Sequence, residues 1–130
     1  DYIVDELARC QQARKTGYVG AIPNEDSIFW KVSHGIIKSG GFDLNGGWSP
    51  WYTVHKVMAG LVDAYLYCDN AKALQVVVKM ADWTGEILKN LTEEQRLALE
   101  EQRDPDLARL VPLAPGQGGG VIKQDRVNIR

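Results

Sequence analysis

The chain has 130 residues and a formal net charge of −2, with 15 lysines and arginines against 17 aspartates and glutamates. This length suffices for one compact domain, and 45% apolar with 25% charged residues is the composition of a soluble globular protein, which excludes wholesale disorder. The near-neutral charge and the lack of a long apolar run argue against nucleic-acid and membrane partners. Two cysteines without a Cys-x-x-Cys pair exclude a zinc finger and a disulfide scaffold, although a Cys10–Cys68 bridge stays open.

The first residues predict a helix over 1–14. Apolar side chains recur at helical spacing from Tyr2 to Cys10, and Gly17 follows as a stop signal. The chain starts at Asp1 rather than at a methionine, and no secretion signal precedes the helix. We therefore expect a piece of a longer protein, and the compartment cannot be read from the sequence.

Residues 15–50 are rich in turn-forming residues. Seven of the 13 glycines lie here with Pro23 and Pro50, and pairs such as Asn45-Gly46 are typical of turns. The apolar runs between them are too short to predict a helix or a strand. A connection of this length without secondary structure is uncommon in a compact domain and is usually functional.

Two long helices are predicted next, over 51–68 and 71–90. Pro50 favours the start of the first, and Asn70 is suited to cap the second. The short link between them predicts an antiparallel helical hairpin. The first helix carries an apolar stripe of Trp51, Val54, His55, Met58, Leu61, Val62 and Tyr65. The second is expected to bury Leu74, Val77, Val78, Ala81, Ile87 and Leu88, with Trp83 nearby.

A further helix is predicted from the capping-box spacing of Thr92 and Gln95, and it is expected to end before Asp104-Pro105. Beyond it the composition changes to that of a Pro/Gly-rich linker, followed by a segment that suits a short strand. The sequence therefore divides into a helical domain over 1–111 and a tail over 112–130.

His55 is the most informative candidate residue. It follows Trp48, Trp51 and Tyr52 near the start of a predicted helix. Aromatic faces beside an imidazole suit sugar binding, because the rings stack on C–H faces while the imidazole hydrogen-bonds a hydroxyl. The alternative is a core histidine packed between tryptophans. Spacing alone leaves both interpretations open.

The other titratable groups carry weaker signals. His34 lies in the glycine-rich segment, where we expect an exposed or locally bonded loop histidine. Glycoside hydrolysis needs a pair of carboxylates. The acids in and around the glycine-rich segment and on the helices are instead expected to stabilise turns or to face solvent; they are Glu25, Asp26, Asp43, Asp63, Asp82 and Glu86.

Four motifs in a fixed order give the sequence a family resemblance. They are Gly17-Tyr18-Val19-Gly20-Ala21-Ile22-Pro23, Pro50-Trp51-Tyr52-Thr53-Val54-His55-Lys56, Ala59-Gly60-Leu61-Val62-Asp63-Ala64-Tyr65 and Lys79-Met80-Ala81-Asp82-Trp83. With them the chain resembles the N-terminal catalytic region of the β-L-arabinofuranosidase family of glycoside hydrolases. The expected fold is therefore all-α: helical hairpins forming part of an (α/α)₆-type barrel, with a long glycine-rich segment between the first two helices.

The resemblance also implies a sugar-binding site. In that family the histidine of the Pro-Trp-Tyr-Thr-x-His-Lys string lines the sugar subsite, and here it is His55. Its neighbours Trp51 and Tyr52, and the loop around Tyr18, would border the same pocket. Together with Trp48, these are the expected substrate-binding residues, and a carbohydrate is the expected ligand.

The catalytic centre implied by the resemblance falls outside the matched motifs. The relatives use a zinc-bound cysteine thiolate as nucleophile and a glutamate as acid/base, whereas this sequence has no histidine after His55 and no cysteine after Cys68. We therefore expect a truncated glycoside hydrolase region that is inactive alone and has no catalytic residue, metal or cofactor of its own.

The alternative function is a helical carbohydrate-binding or protein-interaction module. A partial barrel would expose the apolar faces that normally meet other helices, and such faces drive association. We therefore expect a homo-oligomer that buries surfaces bearing Met58, Val77 and Trp83.

Overall fold

The computed structural model describes residues 1–100, so the predicted break at Asp104-Pro105 and the tail over 112–130 lie outside the described residues. The described part is mainly helical, which confirms the all-α class. Its helices are α1 (Tyr2–Arg14), α2 (Glu25–Ser33), α3 (Pro50–Cys68), α4 (Ala71–Leu88) and α5 (Glu93–Glu100). A small antiparallel sheet joins α2 to α3 through β1 (Ser39–Gly40), β2 (Asp43–Leu44) and β3 (Gly47–Trp48), paired in that order.

Helix α4 is the centre of the described fold, because α1, α2 and α3 all pack on it. Asn70 starts it as predicted, since the Asn70 side-chain oxygen accepts a hydrogen bond from the Ala73 amide at 3.1 Å. The face of α4 that enters the core carries Ala73, Val76, Val77 and Met80. This face packs in one cluster with side chains from α1 to α3 and from the 15–24 loop: Val4, Tyr18, Val19, Phe29, Val54 and Leu61.

Part of the burial predicted for α3 and α4 is wrong. Leu74, Val78 and Ala81 are exposed, because α4 is apolar on two sides and the side that contains Val77 is the one that faces the core. The predicted stripe of α3 divides in the same way. Its members Val54 and Leu61 are buried, whereas His55, Val62 and Tyr65 are exposed.

One of the three side chains expected to mediate self-association is buried in the fold. Val77 is buried, and Met58 and Trp83 are partly buried against the same core. Val77 is therefore unavailable to a contact surface, whereas Met58 and Trp83 keep part of their surface, and the expected homo-oligomer stays a prediction. The outward apolar side of the hairpin instead carries Val62 and Leu66 of α3.

The glycine-rich segment contains more structure than its sequence predicts. It holds all of α2 and the three-stranded sheet. Asn45 and Gly46 form the two-residue turn between β2 and β3, with φ of 52° and 85°, as a type I′ hairpin turn requires. Leu44 and Gly47 face α2, where a Cβ on Gly47 would approach Ile28 Cδ1 to 2.5 Å. The sheet is therefore held tightly against α2.

The capping box predicted for the last described helix is confirmed. The backbone N–H of Gln95 donates to Thr92 Oγ1 at 3.3 Å, and the backbone N–H of Thr92 donates to the side-chain Oε1 of Gln95 at 2.9 Å. Gln95 Nε2 also donates to the Gly35 carbonyl at 3.2 Å, which ties α5 to the end of α2. Within residues 1–100, no helix has the length and hydropathy that crossing a membrane requires.

Candidate functional site

The residues expected to bind a sugar gather around the start of α3, but they differ in accessibility. Trp48 and Tyr52 expose 75% and 40% of their surface, and His55 is exposed as well. Trp51 is partly buried, and Tyr18 exposes only 2%. Three of the five predicted side chains are therefore open to a ligand, while Trp51 and Tyr18 mainly belong to the core.

The start of α3 is fixed by the sheet that precedes it. Ser49 has a left-handed backbone with φ of 43°, and its amide donates to the Phe42 carbonyl at 2.6 Å. Pro50 then occupies the first helical turn, where its missing N–H costs nothing. The Thr53 hydroxyl donates to the Ser49 carbonyl at 3.0 Å. This rigid junction sets the direction in which the helix presents Tyr52 and His55.

His55 lies on an exposed face of α3 with its imidazole uncommitted. Tyr52, His55 and Lys56 are spaced i, i+3 and i+4, so they are neighbours on the helix surface. Lys56 Nζ lies 5.0 Å from the centre of the Tyr52 ring. Within residues 1–100, the His55 side chain makes no hydrogen bond or ion pair, so both ring nitrogens are available to a ligand.

An aromatic cluster of Tyr18, Phe29, Trp51 and Trp83 lies behind this face. The Phe29 ring is 5.7 Å from Trp51 and 4.9 Å from Trp83, and Tyr18 lies 4.7 Å from Trp83 and 5.3 Å from Phe29. Tilted and edge-on rings at these separations attract one another in addition to the area they bury. The cluster therefore anchors Trp51 and, with it, the first turn of α3.

Tyr18 is held in the cluster by a network around Glu25. The Tyr18 hydroxyl donates to Glu25 Oε2 at 2.8 Å, and the Ile22 amide donates to the same oxygen at 3.0 Å. Arg14 pairs with the other oxygen of Glu25 and with Asp26. Burial, followed by the bond to the Glu25 carboxylate, raises the pKa of Tyr18 far above its usual range. Tyr18 is thus a protonated donor that fixes the 15–24 loop behind the site.

Phe42 is a residue of this surface that sequence reasoning missed. Its ring lies 5.2 Å from the Trp48 ring at an interplanar angle of 35°, and 48% of Phe42 is exposed. Phe42 lies in the turn between β1 and β2, where Gly41 has φ of 59°. The signal that would have found it is an aromatic residue in a tight glycine turn, where packing alone does not require one.

The second histidine and most acids behave as predicted. His34 is exposed, and its Nδ1 lies 2.8 Å from the Trp30 carbonyl, which makes it the locally bonded loop histidine expected. Asp26, Asp43, Asp63, Asp82 and Glu86 are all exposed. Glu25 is the acid that is buried, because three hydrogen-bond donors converge on its carboxylate.

The donors for the zinc centre that the resemblance implies do not come together in the described part of the chain. Cys10 in α1 and Cys68 at the end of α3 are free and exposed, so the bridge that the sequence left open does not form. Within residues 1–100, no three His, Cys, Asp or Glu side chains are grouped as a bound metal would require. These residues therefore do not fit a zinc–thiolate site.

One groove of the described part lies away from His55. It has a volume of about 470 Å³ and runs between the end of α1 and α4, bordered by Trp83, Asp82 and Glu86. His55 and Tyr52 are exposed on α3, so these two side chains would contact a ligand from one side, as an open wall does. An open wall buries less of a ligand than an enclosed pocket does, so it binds more weakly.

Comparison with known families confirms the family resemblance. The description of the matching family is "Beta-L-arabinofuranosidase, GH127 catalytic domain", and the match covers residues 1–111. A helical domain with these motifs is thus of the glycoside-hydrolase class. The chain belongs to the GH127 β-L-arabinofuranosidase catalytic-domain family. No curated protein matches it.

Proposed function

We propose that this chain supplies one wall of an arabinofuranoside-binding subsite, as part of a β-L-arabinofuranosidase-type glycoside hydrolase. The observation that carries the proposal is the His55 imidazole, exposed and uncommitted on a rigid helix start. An exposed imidazole is hydrogen-bonded to water, and it can exchange that water for the hydroxyl of a sugar. The Phe29–Trp51 and Trp51–Trp83 contacts supply that rigidity.

Each residue of the wall has a defined physical role. His55 donates from one ring nitrogen and accepts at the other, which suits two sugar hydroxyls. The Tyr52 ring offers an apolar face to sugar C–H groups, and Lys56 packs over that ring. Trp51 holds the helix start in place, and Tyr18 fixes the loop behind it. The chain thereby binds and orients a sugar.

In this proposal, cleavage of the glycosidic bond needs the zinc-bound cysteine and the glutamate acid/base that the family resemblance implies, and residues 1–100 do not provide that centre. The α3–α4 hairpin would be two consecutive helices of an (α/α)₆-type barrel, with the wall at one barrel face. Cys10 and Cys68 lie on different helices and are exposed, which supports a chain that is inactive by itself. Release of nitrophenol from a nitrophenyl arabinofuranoside by the purified chain alone would contradict this part of the proposal.

Binding is tested by adding methyl β-L-arabinofuranoside to the 130-residue chain and following tryptophan fluorescence. Because one wall contacts the sugar, we expect saturation with a Kd of about 1 mM, which corresponds to about −4 kcal/mol. His55→Ala should weaken binding about tenfold, the effect of losing about 1.4 kcal/mol. His34→Ala is the matched control and should leave the Kd for the sugar unchanged. The absence of a saturable response, or equal losses in both variants, would contradict the proposed subsite.

A second candidate function, self-association, is favoured by the apolar end of the bundle. Tyr2 and Tyr67 expose 77% and 81% of their surface, and Leu66 exposes 61%. Asn70 Nδ2 donates to Asp1 Oδ1 at 2.9 Å, so the start of α1 lies beside the α3–α4 turn. The two tyrosines alone expose about 300 Å², which approaches the largest apolar patch of a typical monomer.

We propose that a second copy of the chain covers this end. Light scattering should give a mass above 14.5 kDa at tens of micromolar protein. Leu66→Glu should shift the mass toward that of the monomer, because it places a charge in the contact. Glu86→Lys is a control on an exposed site remote from this end of the hairpin. A monomeric mass for the unaltered chain would contradict self-association.

A further inference from the structure

Helix α4 carries an outward strip of apolar and small residues that the rest of residues 1–100 leaves largely exposed. The strip advances by alternating steps of three and four residues, which is the 3.5-residue spacing of a coiled-coil seam. Its members, which we call the α4 seam, are Ala71, Leu74, Val78, Ala81, Gly85 and Leu88. Leu88 is partly buried, and the other five are exposed. Since another face of α4 already enters the core, the seam is free to contact one more helix.

The size of the side chains falls steadily along the α4 seam. Leu74 and Val78 come first, with 39% and 49% of their surface exposed, and the smaller Ala81 and Gly85 follow. No atom lies within 4 Å of the position where a Cβ on Gly85 would stand. The seam is therefore built of protruding residues in one half and of open space in the other.

This gradient makes the seam complementary to a reversed copy of itself. In an antiparallel pair with its two-fold axis between Val78 and Ala81, Leu74 lies opposite Gly85 of the second copy. Val78 then lies opposite Ala81 of the second copy, so large side chains fill the space beside small ones. A parallel pair would instead set Gly85 against Gly85 and leave a void between the helices.

The charges beside the seam favour the same direction. Lys79 belongs to the half with the large side chains and Asp82 to the half with the small ones, and both are exposed. Within residues 1–100, neither side chain takes part in an ion pair. In the antiparallel pair, Lys79 of each copy approaches Asp82 of the other, and opposite charges across a contact help to fix its register.

The area of the seam sets the strength of the contact. The 18 residues of α4 extend about 27 Å, and one side of a helix about 10 Å across then has about 400 Å². Two copies would bury about 800 Å² along the seam, which is less than the about 1,200 Å² of a stable interface. The antiparallel arrangement also brings the α3–α4 turn of each copy beside the last turn of α4 of the other, so the apolar end with Leu66 adds to the contact. We therefore expect a reversible dimer whose population depends on concentration.

We infer that two copies of the chain pair through α4, antiparallel and about a two-fold axis between Val78 and Ala81. This inference rests on the self-association proposed above and deepens it. It names the helix that makes the contact, its direction and its register.

The test is sedimentation velocity of the 130-residue chain over a series of concentrations. Gly85→Leu places a second leucine opposite Leu74 of the other copy, and this overpacking should raise the dimer Kd at least about tenfold. Gly60→Leu is the matched control, because Gly60 lies in α3 with equally open space at its Cβ position, and it should leave the Kd unchanged. Leucine favours a helix over glycine, so both variants should keep their helical circular dichroism.

A compensating change tests the register. The double variant Leu74→Ala with Gly85→Leu reverses the order of large and small side chains, so a small residue again lies opposite a large one. It should restore the dimer Kd to within about threefold of that of the unaltered chain, about 0.6 kcal/mol. A simple apolar patch without register would be weakened further by the loss of Leu74.

Each other outcome counts against the pairing. Gly85→Leu that tightens the dimer, as a parallel pair would, overturns the inference, and so does equal weakening by Gly60→Leu. A double variant that associates no better than Gly85→Leu also overturns it. A dimer that Leu66→Glu dissociates and Gly85→Leu leaves intact overturns the pairing through α4 but not self-association. A monomer at every concentration overturns both.

Discussion

Replacing Glu25 by glutamine tests the network that fixes the loop behind the candidate site. Glu25 is 8% exposed, and its carboxylate accepts hydrogen bonds from Tyr18, Ile22 and Arg14. Glutamine keeps one acceptor oxygen for Tyr18 and Ile22. Its amide group then faces the Arg14 guanidinium, where two donors meet, so the charge-assisted bond is lost.

The magnitude follows from the burial of that bond. A hydrogen bond to a charged group contributes about 1.5–3 kcal/mol, and the Glu25 side chain is only 10% exposed in this ion pair. We expect the free energy of unfolding to fall by about 2 kcal/mol. With a urea m-value near 1.5 kcal/mol/M, the unfolding midpoint should fall by roughly 1 M. In a thermal melt of a chain of this length, the same change lowers Tm by about 7 °C.

Asp26→Asn is the matched control for Glu25→Gln. Asp26 pairs with the same arginine and lies in the same first turn of α2, but its side chain is 86% exposed. An exposed pair contributes about 0.5 kcal/mol or less, so this variant should unfold almost as the unaltered chain does. Equal shifts of the urea midpoint for the two variants would refute the argument that burial gives the Glu25 pair its strength.

Three further predictions concern pH, backbone geometry and a helix cap. The pKa of Tyr18 is raised in the folded chain, so the contribution of the Tyr18 hydroxyl to stability is complete below the ordinary pKa of 10.0 and is lost as pH rises beyond it. When thermal melts at about pH 9 and pH 11 are compared, the Tyr18→Phe variant should therefore lose less stability than the unaltered chain does. Gly17→Ala should lower the free energy of unfolding in urea by about 2 kcal/mol or more, because φ of Gly17 is +90° and the new Cβ would lie 2.6 Å from the Lys79 carbonyl oxygen. Gly60→Ala is the contrasting variant: it has open space within α3 and should raise the free energy of unfolding by about 0.5–1 kcal/mol. Asn70→Ala should cost about 1 kcal/mol by the same assay through loss of the cap on α4, and an unchanged midpoint would show that the cap bond contributes nothing.

The long helices are predictable from the sequence because their signals are local. Pro50 marks the start of α3, Asn70 caps α4, and Thr92 with Gln95 caps α5. The sequence does not reveal which apolar side of α4 faces inward. Val77 and Val78 are equally apolar neighbours, and the packing of α1, α2 and α3 selects the side with Val77.

Helix α2 is not predictable in the same way because it depends on contacts distant in sequence. It has nine residues, and its Asn24 N-cap makes no side-chain hydrogen bond. Its first residue, Glu25, is instead held by Arg14, 11 positions earlier. Isolated helices of this length are marginal in water, so tertiary contacts decide whether they form.

The candidate site shows the same division between local and distant causes. Helical spacing makes Tyr52 and His55 neighbours on α3, but it does not reveal that His55 is exposed, because the same spacing groups His55 with the apolar stripe. The burial of Tyr18 depends on Trp83 and Glu25, which no spacing rule connects to it. Phe42 comes next to Trp48 through strand pairing over two-residue strands, which are too short to read from the sequence.

The most direct test of the central claim is NMR of the two histidine side chains. The chain has two histidines, so His55 and His34 give two imidazole signals, which His34→Ala assigns. Adding methyl β-L-arabinofuranoside should shift the ¹H and ¹⁵N signals of the His55 ring in a saturable way and leave those of His34 unchanged. Signals of His55 that stay fixed up to high sugar concentration, or that move together with those of His34, would contradict a sugar subsite at the start of α3.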